Sequence, residues 1–263
     1  HTGIEERVRN DLEILIQHAE LAEHYSQDIA RYRPLATARE FARTLRDELD
    51  FTREQNNLMR FTRNFRNDTM ITIPASYPEC CSRRVLTMDC LHGIELTDRK
   101  ALEESDFDLA DIAKRGANMF LQMIFRDGFY HADPHPGNLM VLPHSEIGLL
   151  DCGMIGRVNE ELREQIEDLL MAAIDRDSKR LQECVVELGE VPTDFDRTML
   201  QNDLMNFVDD YGGQSIDEFD LSGSLNGMIE IIRKHHILLP SKVSLLIKML
   251  VMLEGTAQQL SPD

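Results

Sequence analysis

Ile4, Val8, Leu12, Leu15 and Ala19 recur at intervals of three and four. That spacing predicts an amphipathic helix opening at Thr2, which stands at capping-box separation from Glu5. Pro34 interrupts the pattern, and a second helix is expected from Thr37, with Glu40 three residues on, through Phe41, Leu45, Leu49 and Thr52 toward Phe61. Its other face carries Glu48, Glu54 and Asn57. Between Asn67 and Gly93 the period shortens, and Met70–Pro74 and Arg84–Asp89 read as two strands or extended pieces bounded by turn formers. The acidic stretch Asp98–Asp108 marks the expected boundary between a small first lobe, 1–97, and a larger second one, 98–263. A long helix follows from about Phe107 to Asp127, with Ala110, Ala113, Ala117, Phe120, Leu121 and Ile124 toward a core.

Gly128 stops that helix. Two apolar runs then follow, Leu139–Leu142 and Ile147–Leu150, separated by Pro143-His144-Ser145-Glu146, which predicts a short hairpin. Antiparallel pairing brings the residues just before its first strand and just after its second to one end, where Asp133, Asn138 and Asp151 can converge. From Asn159 onward the pattern is helical only: Glu160–Ile174, Ser178–Leu188, Asp194–Tyr211, Asp217–His236 and Ser241–Gln259, punctuated by Pro192, Gly212-Gly213 and Pro240. The order of elements is that of an α+β fold, predominantly helical.

Composition narrows the function. The chain has 263 residues, 42% hydrophobic and 29% charged, enough for a full-sized core and unlike a disordered chain. Its 28 Lys plus Arg against 47 Asp plus Glu give a formal net charge of -19, which disfavours DNA, RNA and anionic membrane surfaces as broad partners. A small anionic ligand is compatible with that charge if divalent ions accompany it. The cysteines at 80, 81, 90, 152 and 184 contain no CxxC pair and read as reduced, buried thiols of an intracellular protein. No apolar run approaches the roughly 20 residues of a membrane span. The N-terminus carries no signal pattern, but the chain opens on His1, so this does not speak for a parent protein.

The chemistry concentrates at Asp133, Asn138 and Asp151. Phosphoryl transfer needs one carboxylate to orient or deprotonate the attacking group, and a carboxylate plus an amide oxygen to hold divalent ions on the phosphates. These are hard oxygen ligands suited to Mg²⁺. Gly153, two residues after Asp151, permits a turn that swings that carboxylate inward.

His131-Ala132-Asp133 with Asn138 resembles the protein-kinase catalytic loop, and Asp151-Cys152-Gly153 resembles the metal-binding triplet that follows it. The stretches HADPHPGN and LLDCGMIGR more closely resemble the UbiB/AarF family of atypical kinase-like proteins linked to coenzyme Q biosynthesis. ELDFTREQNN at 48–57, RVLTMDCLHGIEL at 84–96 and HHILLPSKVSLLIKMLVMLEG at 235–255 extend the likeness to essentially the entire chain.

The resemblance implies a protein-kinase-like fold with Asp133 as the catalytic-loop aspartate and Asn138 and Asp151 as metal ligands. It further implies Glu54 as the partner of a nucleotide-binding lysine and Glu48 as the tie to a family-specific N-terminal extension. Met88, Asp89, Cys90 and Leu91 are implied as the interlobe segment against adenine, with His131 and Gly153 as structural support. ATP or ADP and Mg²⁺ are the implied cofactors. Lipid or quinone-pathway proteins are the implied partners, and membrane association would come through other parts of the parent. The implied location is intracellular, at the cytoplasmic face of a bacterial membrane or in an organelle of bacterial origin.

Two features depart from the family pattern. Cys152 replaces the triplet's aromatic. The lysine strand, the Ala-rich nucleotide loop and the N-terminal extension are expected to precede residue 1, so that most of the N-terminal lobe is absent from this chain, which would itself be an inactive atypical kinase or ATPase. Two other readings stand beside this one: a noncatalytic nucleotide-dependent regulatory or scaffold module of lipid metabolism, and a metal-dependent hydrolase centred on His131, Asp133 and His135.

Overall fold

A computed structural model of the chain describes residues 3–30, 33–193, 195–211 and 221–261. It divides into two compact units. The first comprises residues up to Arg63 with Pro74–Cys90 and Asp151–Gly153, and the second comprises Asn64–Ile73, Leu91–Leu150 and the chain from Met154 onward.

The first unit holds α1 (Ile4–Tyr25), α2 (Gln27–Ala30), α3 (Pro34–Glu48) and α4 (Phe51–Phe65), the last two residues of α4 belonging to the second unit. Gly3, in the left-handed region at φ 83°, precedes α1 and supplies no side-chain cap. Thr2 lies outside the described residues. Glu5, its expected capping partner, is gripped by Arg84, whose Nε and Nη2 donate to the two carboxylate oxygens at 3.2 and 2.8 Å. The face of α1 that becomes covered runs through Val8, Leu12, Ile16 and Ala19, because α3 lies along one side only, and Ile4 and Leu15 of the predicted stripe are exposed.

The helix expected from Thr37 to Phe61 is two helices. Pro34 begins α3 rather than breaking it, as its fixed φ and missing N–H allow at a first helical position. The chain breaks at Leu49-Asp50, where the Asp50 carboxylate accepts the Thr52 N–H and hydroxyl at 3.1 and 2.6 Å and so opens α4. Arg84–Asp89 is extended but forms no ladder. It is held by isolated bridges between Ser76 and Met88 and between Ser82 and Val85. Nor are all thiols buried: Cys152 is, while Cys80 and Cys90 are exposed.

The second unit begins with β1 (Ile71–Thr72), β2 (Ile94–Glu95), α5 (Arg99–Glu103) and α6 (Leu109–Leu121), which runs on into a π-helical turn, Gln122–Arg126. Asp108 caps α6 by accepting the Asp111 N–H. Ile112, Met119, Phe120, Met123 and Ile124 are buried from this stretch, whereas Ala110 and Leu121 of the expected core set face solvent. Gly128 at φ 57° ends the helix, and a Cβ there would overlap the Val158 carbonyl.

Then come β3 (Phe129–His131), β4 (Leu139–Leu142), β5 (Glu146–Leu149) and β6 (Ile155–Arg157). One sheet has the order β1-β5-β4-β2, and β3 pairs with β6 in a second. The hairpin pairs Leu139 with Leu149 and Leu142 with Glu146, and its turn places His144 and Ser145 at positive φ. Both strands are nearly continuous apolar runs, buried on both faces.

The remainder is helical: α7 (Glu160–Ile174), α8 (Ser178–Leu188), α9 (Arg197–Tyr211), α10 (Leu221–Lys234) and α11 (Ser241–Leu260). The expected starts at Asp194 and Asp217 lie outside the described residues. Asp196 opens α9, accepting the Thr198 and Met199 N–H groups. Ala172, Leu181, Val185, Leu204, Val208 and Ile232 form one apolar core, and α11 packs along α6. Among the described residues no helix is long and apolar enough to cross a membrane.

Candidate active site

The loop 131–138 leaves β3 and enters β4, and both its ends are fixed by backbone pairing. Ala132 N–H donates to the Met154 carbonyl at 3.0 Å, and Leu150 N–H donates to the Asn138 carbonyl at 2.9 Å. His131 is buried, its ring edge-on to Phe120, and its Nδ1 accepts the Asp133 N–H at 3.0 Å. That bond requires Nδ1 to carry no proton, so His131 acts here as a neutral acceptor that holds the backbone of the aspartate two residues on. His135 repeats the device at the surface, its Nδ1 accepting the Gly137 N–H at 3.0 Å.

Asp133 and Asn138 are brought together. Asn138 Nδ2 donates to the Asp133 carbonyl at 3.0 Å and to its Oδ2 at 3.2 Å, which takes up both amide protons. The other end of that amide is an oxygen, the atom by which an asparagine binds a hard cation.

Asp151 follows Leu150 directly in the chain and belongs, with Cys152 and Gly153, to the first unit. Its Oδ1 accepts the Gly153 N–H at 2.7 Å, so the triplet folds on itself in an Asx turn. Gly153 does not take a positive φ, so its place here rests on that N–H rather than on a left-handed backbone. Two α4 side chains one turn apart address the same triplet. Glu54 Oε1 accepts the Cys152 N–H at 3.4 Å, and Asn57 Nδ2 donates to the Cys152 carbonyl at 2.8 Å. Cys152 is fully buried, and burial, with Glu54 and Asp151 nearby, pushes its thiol well above the usual range.

The remaining expected residues are spread out. Asp89 is a structural anchor, accepting the Tyr77 hydroxyl at 2.5 Å and the Ala75 N–H at 3.2 Å. Met88 bridges Ser76, Cys90 is exposed, and the chain passes from one unit to the other between Cys90 and Leu91. Glu48 is the last residue of α3.

Two contributors carried no assignment from the sequence. Asn57 stands on the face already marked by Glu54, which was a usable signal. Thr256 of α11 donates to the Pro134 carbonyl at 3.0 Å from 122 residues away, which no local pattern could announce.

Within the second unit the clamped pair offers an amide oxygen at Asn138 and a carboxylate at Asp133, hard donors of the kind a divalent ion with oxygen ligands takes, with no thiolate or imidazole nitrogen required. It is too small to fill a coordination shell, which suits an ion that keeps waters and arrives with phosphates. The His131-Asp133-His135 alternation is not a metal cluster. Among the described residues no group of three or more His, Cys, Asp and Glu side chains is placed to hold an ion, and both Nδ1 atoms serve instead as acceptors for backbone N–H groups.

Comparison with known proteins agrees with this architecture. Residues 1–185 match the ABC1 atypical kinase-like domain and residues 204–263 match the UbiB helical domain. A probable protein kinase UbiB of Haemophilus ducreyi is 32% identical over 264 residues, covering 98% of this chain and 48% of that protein. Those of Actinobacillus pleuropneumoniae and Cronobacter sakazakii are each 31% identical, over 99% and 97% of this chain. The chain thus spans about half the length of the curated relatives it matches. The structure of the Rv3197–erythromycin complex from Mycobacterium tuberculosis superposes with a TM-score of 0.70 at 16% identity, over 99% of this chain and 66% of that one, and shows the same fold. With the first domain alone matching residues 1–185, the chain belongs to the ABC1 atypical kinase-like family, of the UbiB/AarF type.

Proposed function

We propose that this chain is part of an ATP-binding phosphotransferase or ATPase that supports coenzyme Q or related prenyl-lipid metabolism. The observation that carries the reading is the clamp between Asn138 and Asp133: one amide holds the carboxylate through its nitrogen and presents an oxygen at its other end. In this reading Asp133 orients or deprotonates the attacking hydroxyl or water. Asn138 and Asp151 are each assigned, on the motif resemblance, as an oxygen ligand for Mg²⁺, which would neutralise charge on the nucleotide phosphates. His131 keeps Asp133 in place through its backbone, while Glu54 and Asn57 hold the backbone that carries Asp151. Coenzyme Q enters through the resemblance of the motifs.

The test is calorimetric titration of nucleotide with and without Mg²⁺ into the intact protein and its D151N variant. Mg²⁺-dependent affinity is expected to collapse in D151N, which keeps the size of the side chain and removes its charge. An unchanged Mg²⁺ dependence would overturn the assignment of Asp151.

A further inference from the structure

We infer that Thr256 is a positioning residue: its hydroxyl, on the last helix of the chain, sets the conformation of the loop that carries Asp133 and Asn138. This rests on the reading of that loop as catalytic.

Accounting for the loop's backbone leads to this residue. Pro134 and Pro136 have no N–H, so the stretch between Asp133 and Asn138 is poor in donors and its carbonyls need donors from elsewhere. The Asp133 carbonyl is met by the Asn138 side chain at 3.0 Å, His135 by the Asn138 N–H at 2.8 Å, and Pro136 by the Leu139 N–H. The Asn138 carbonyl is met by Leu150 of the hairpin. All of these donors come from the loop or its own hairpin. The Pro134 carbonyl, adjacent to Asp133, is met by α11 through Thr256.

Thr256 is 5% exposed, so water is a poor substitute for it. Its oxygen also lies 2.9 Å from the Met252 carbonyl, but that carbonyl is one turn back in α11 and has the helical amide as its donor. The single hydroxyl proton is therefore of most use to Pro134. The helix is in turn fixed by Val243, Leu246, Met249 and Leu253, all buried, so the hydroxyl is presented from a rigid support. A consequence is that the helical segment after residue 204 contributes to the geometry at Asp133, which its sequence alone does not suggest.

The experiment compares T256V and T256S with the intact wild-type protein by amide hydrogen exchange and steady-state kinetics. T256V keeps the shape and removes the donor, and T256S keeps the donor. In T256V, exchange is expected to rise in the 131–138 segment and not in α7–α9. In the same variant kcat should fall roughly 10- to 100-fold, with KM for Mg-nucleotide changed by less than about threefold, as displacement of a positioned group would give. T256S should restore both. No rise at the loop, a uniform rise that includes α7–α9 or outright unfolding, or a failure of T256S to restore the loop would each overturn the inference. If the loop responds as stated while D133N turns over nucleotide at the wild-type rate, the positioning by Thr256 stands and the phosphotransfer reading falls.

Discussion

At the scale of single residues, buried backbone polar groups are served by side chains whose loss is measurable. Asn57 donates to the Cys152 carbonyl at 2.8 Å from a half-buried position. Replacing it with Ala removes that bond and the carbonyl's partner, and is expected to destabilise the protein by about 1–2 kcal/mol in a denaturant titration. A cost below the error of the method would show that the bond contributes nothing. The thiols give a second check. Cys80 and Cys90 are exposed, while Cys152 is fully buried with its thiol pushed upward. A thiol-specific reagent at neutral pH should therefore modify Cys80 and Cys90 in the native protein and reach Cys152 only on unfolding. Modification of Cys152 at a rate matching Cys90 would contradict the burial.

At the scale of elements, the helices were legible where their apolar period and their caps agree. Glu160–Ile174 and Ser178–Leu188 begin and end where the pattern places them, opened by the Asn159 and Asp177 side chains. The break between α3 and α4 was not legible, because the apolar period runs through it without interruption. Asp50 wins locally by capping the next helix, a choice that the hydrophobic pattern does not record. The extended Arg84–Asp89 piece has the composition of a strand but finds only isolated bridges, since strand formation depends on a partner that composition cannot name.

Pairing also sets the tolerance of β6. Gly156 lies across from Tyr130, and a Cβ there would overlap the Tyr130 ring, which is buried with its hydroxyl pushed up to about 12 by burial. Gly156→Ala is expected to cost about 3 kcal/mol or more, because neither the ring nor the ladder can yield. Stability within about 0.5 kcal/mol of wild type would refute this close packing.

Between α9 and α10, Asp203 accepts from Lys234 at 2.8 Å and from buried His235 at 2.6 Å, and these partners, Lys234 first, hold its carboxyl below the usual range. A depressed carboxyl stabilises the fold above its unfolded value, roughly 3.9, and loses that contribution as pH falls through the folded value. The stability advantage of wild type over D203N should thus be present above about pH 4 and shrink below it. Acid titrations that give a difference independent of pH from 2 to 6 would contradict the linkage.

At the scale of the whole molecule, family membership was legible because the residues of its longest motif are close in sequence. Asp133 and Asn138 lie in the loop before the hairpin and Asp151 just after it, so one short stretch of chain carried the resemblance. What stayed hidden was support from afar: Thr256 reaches the loop across 122 residues, and Arg84 takes up Glu5 across 79.

In the proposed function Asp133 acts on a reacting group and Asp151 on the metal-bound nucleotide, so the two carboxylates should fail in different ways. The most direct measurement pairs nucleotide binding with phosphate release or transfer for D133N in the intact protein. The expected result is affinity within a few-fold of wild type and turnover reduced by on the order of 10² or more, since the loss falls on the reacting state rather than on ground-state binding. Turnover by D133N at the wild-type rate, or wild-type biological output from D133N with no turnover detectable in either protein, would contradict the claim and leave a nucleotide-dependent binding module in its place.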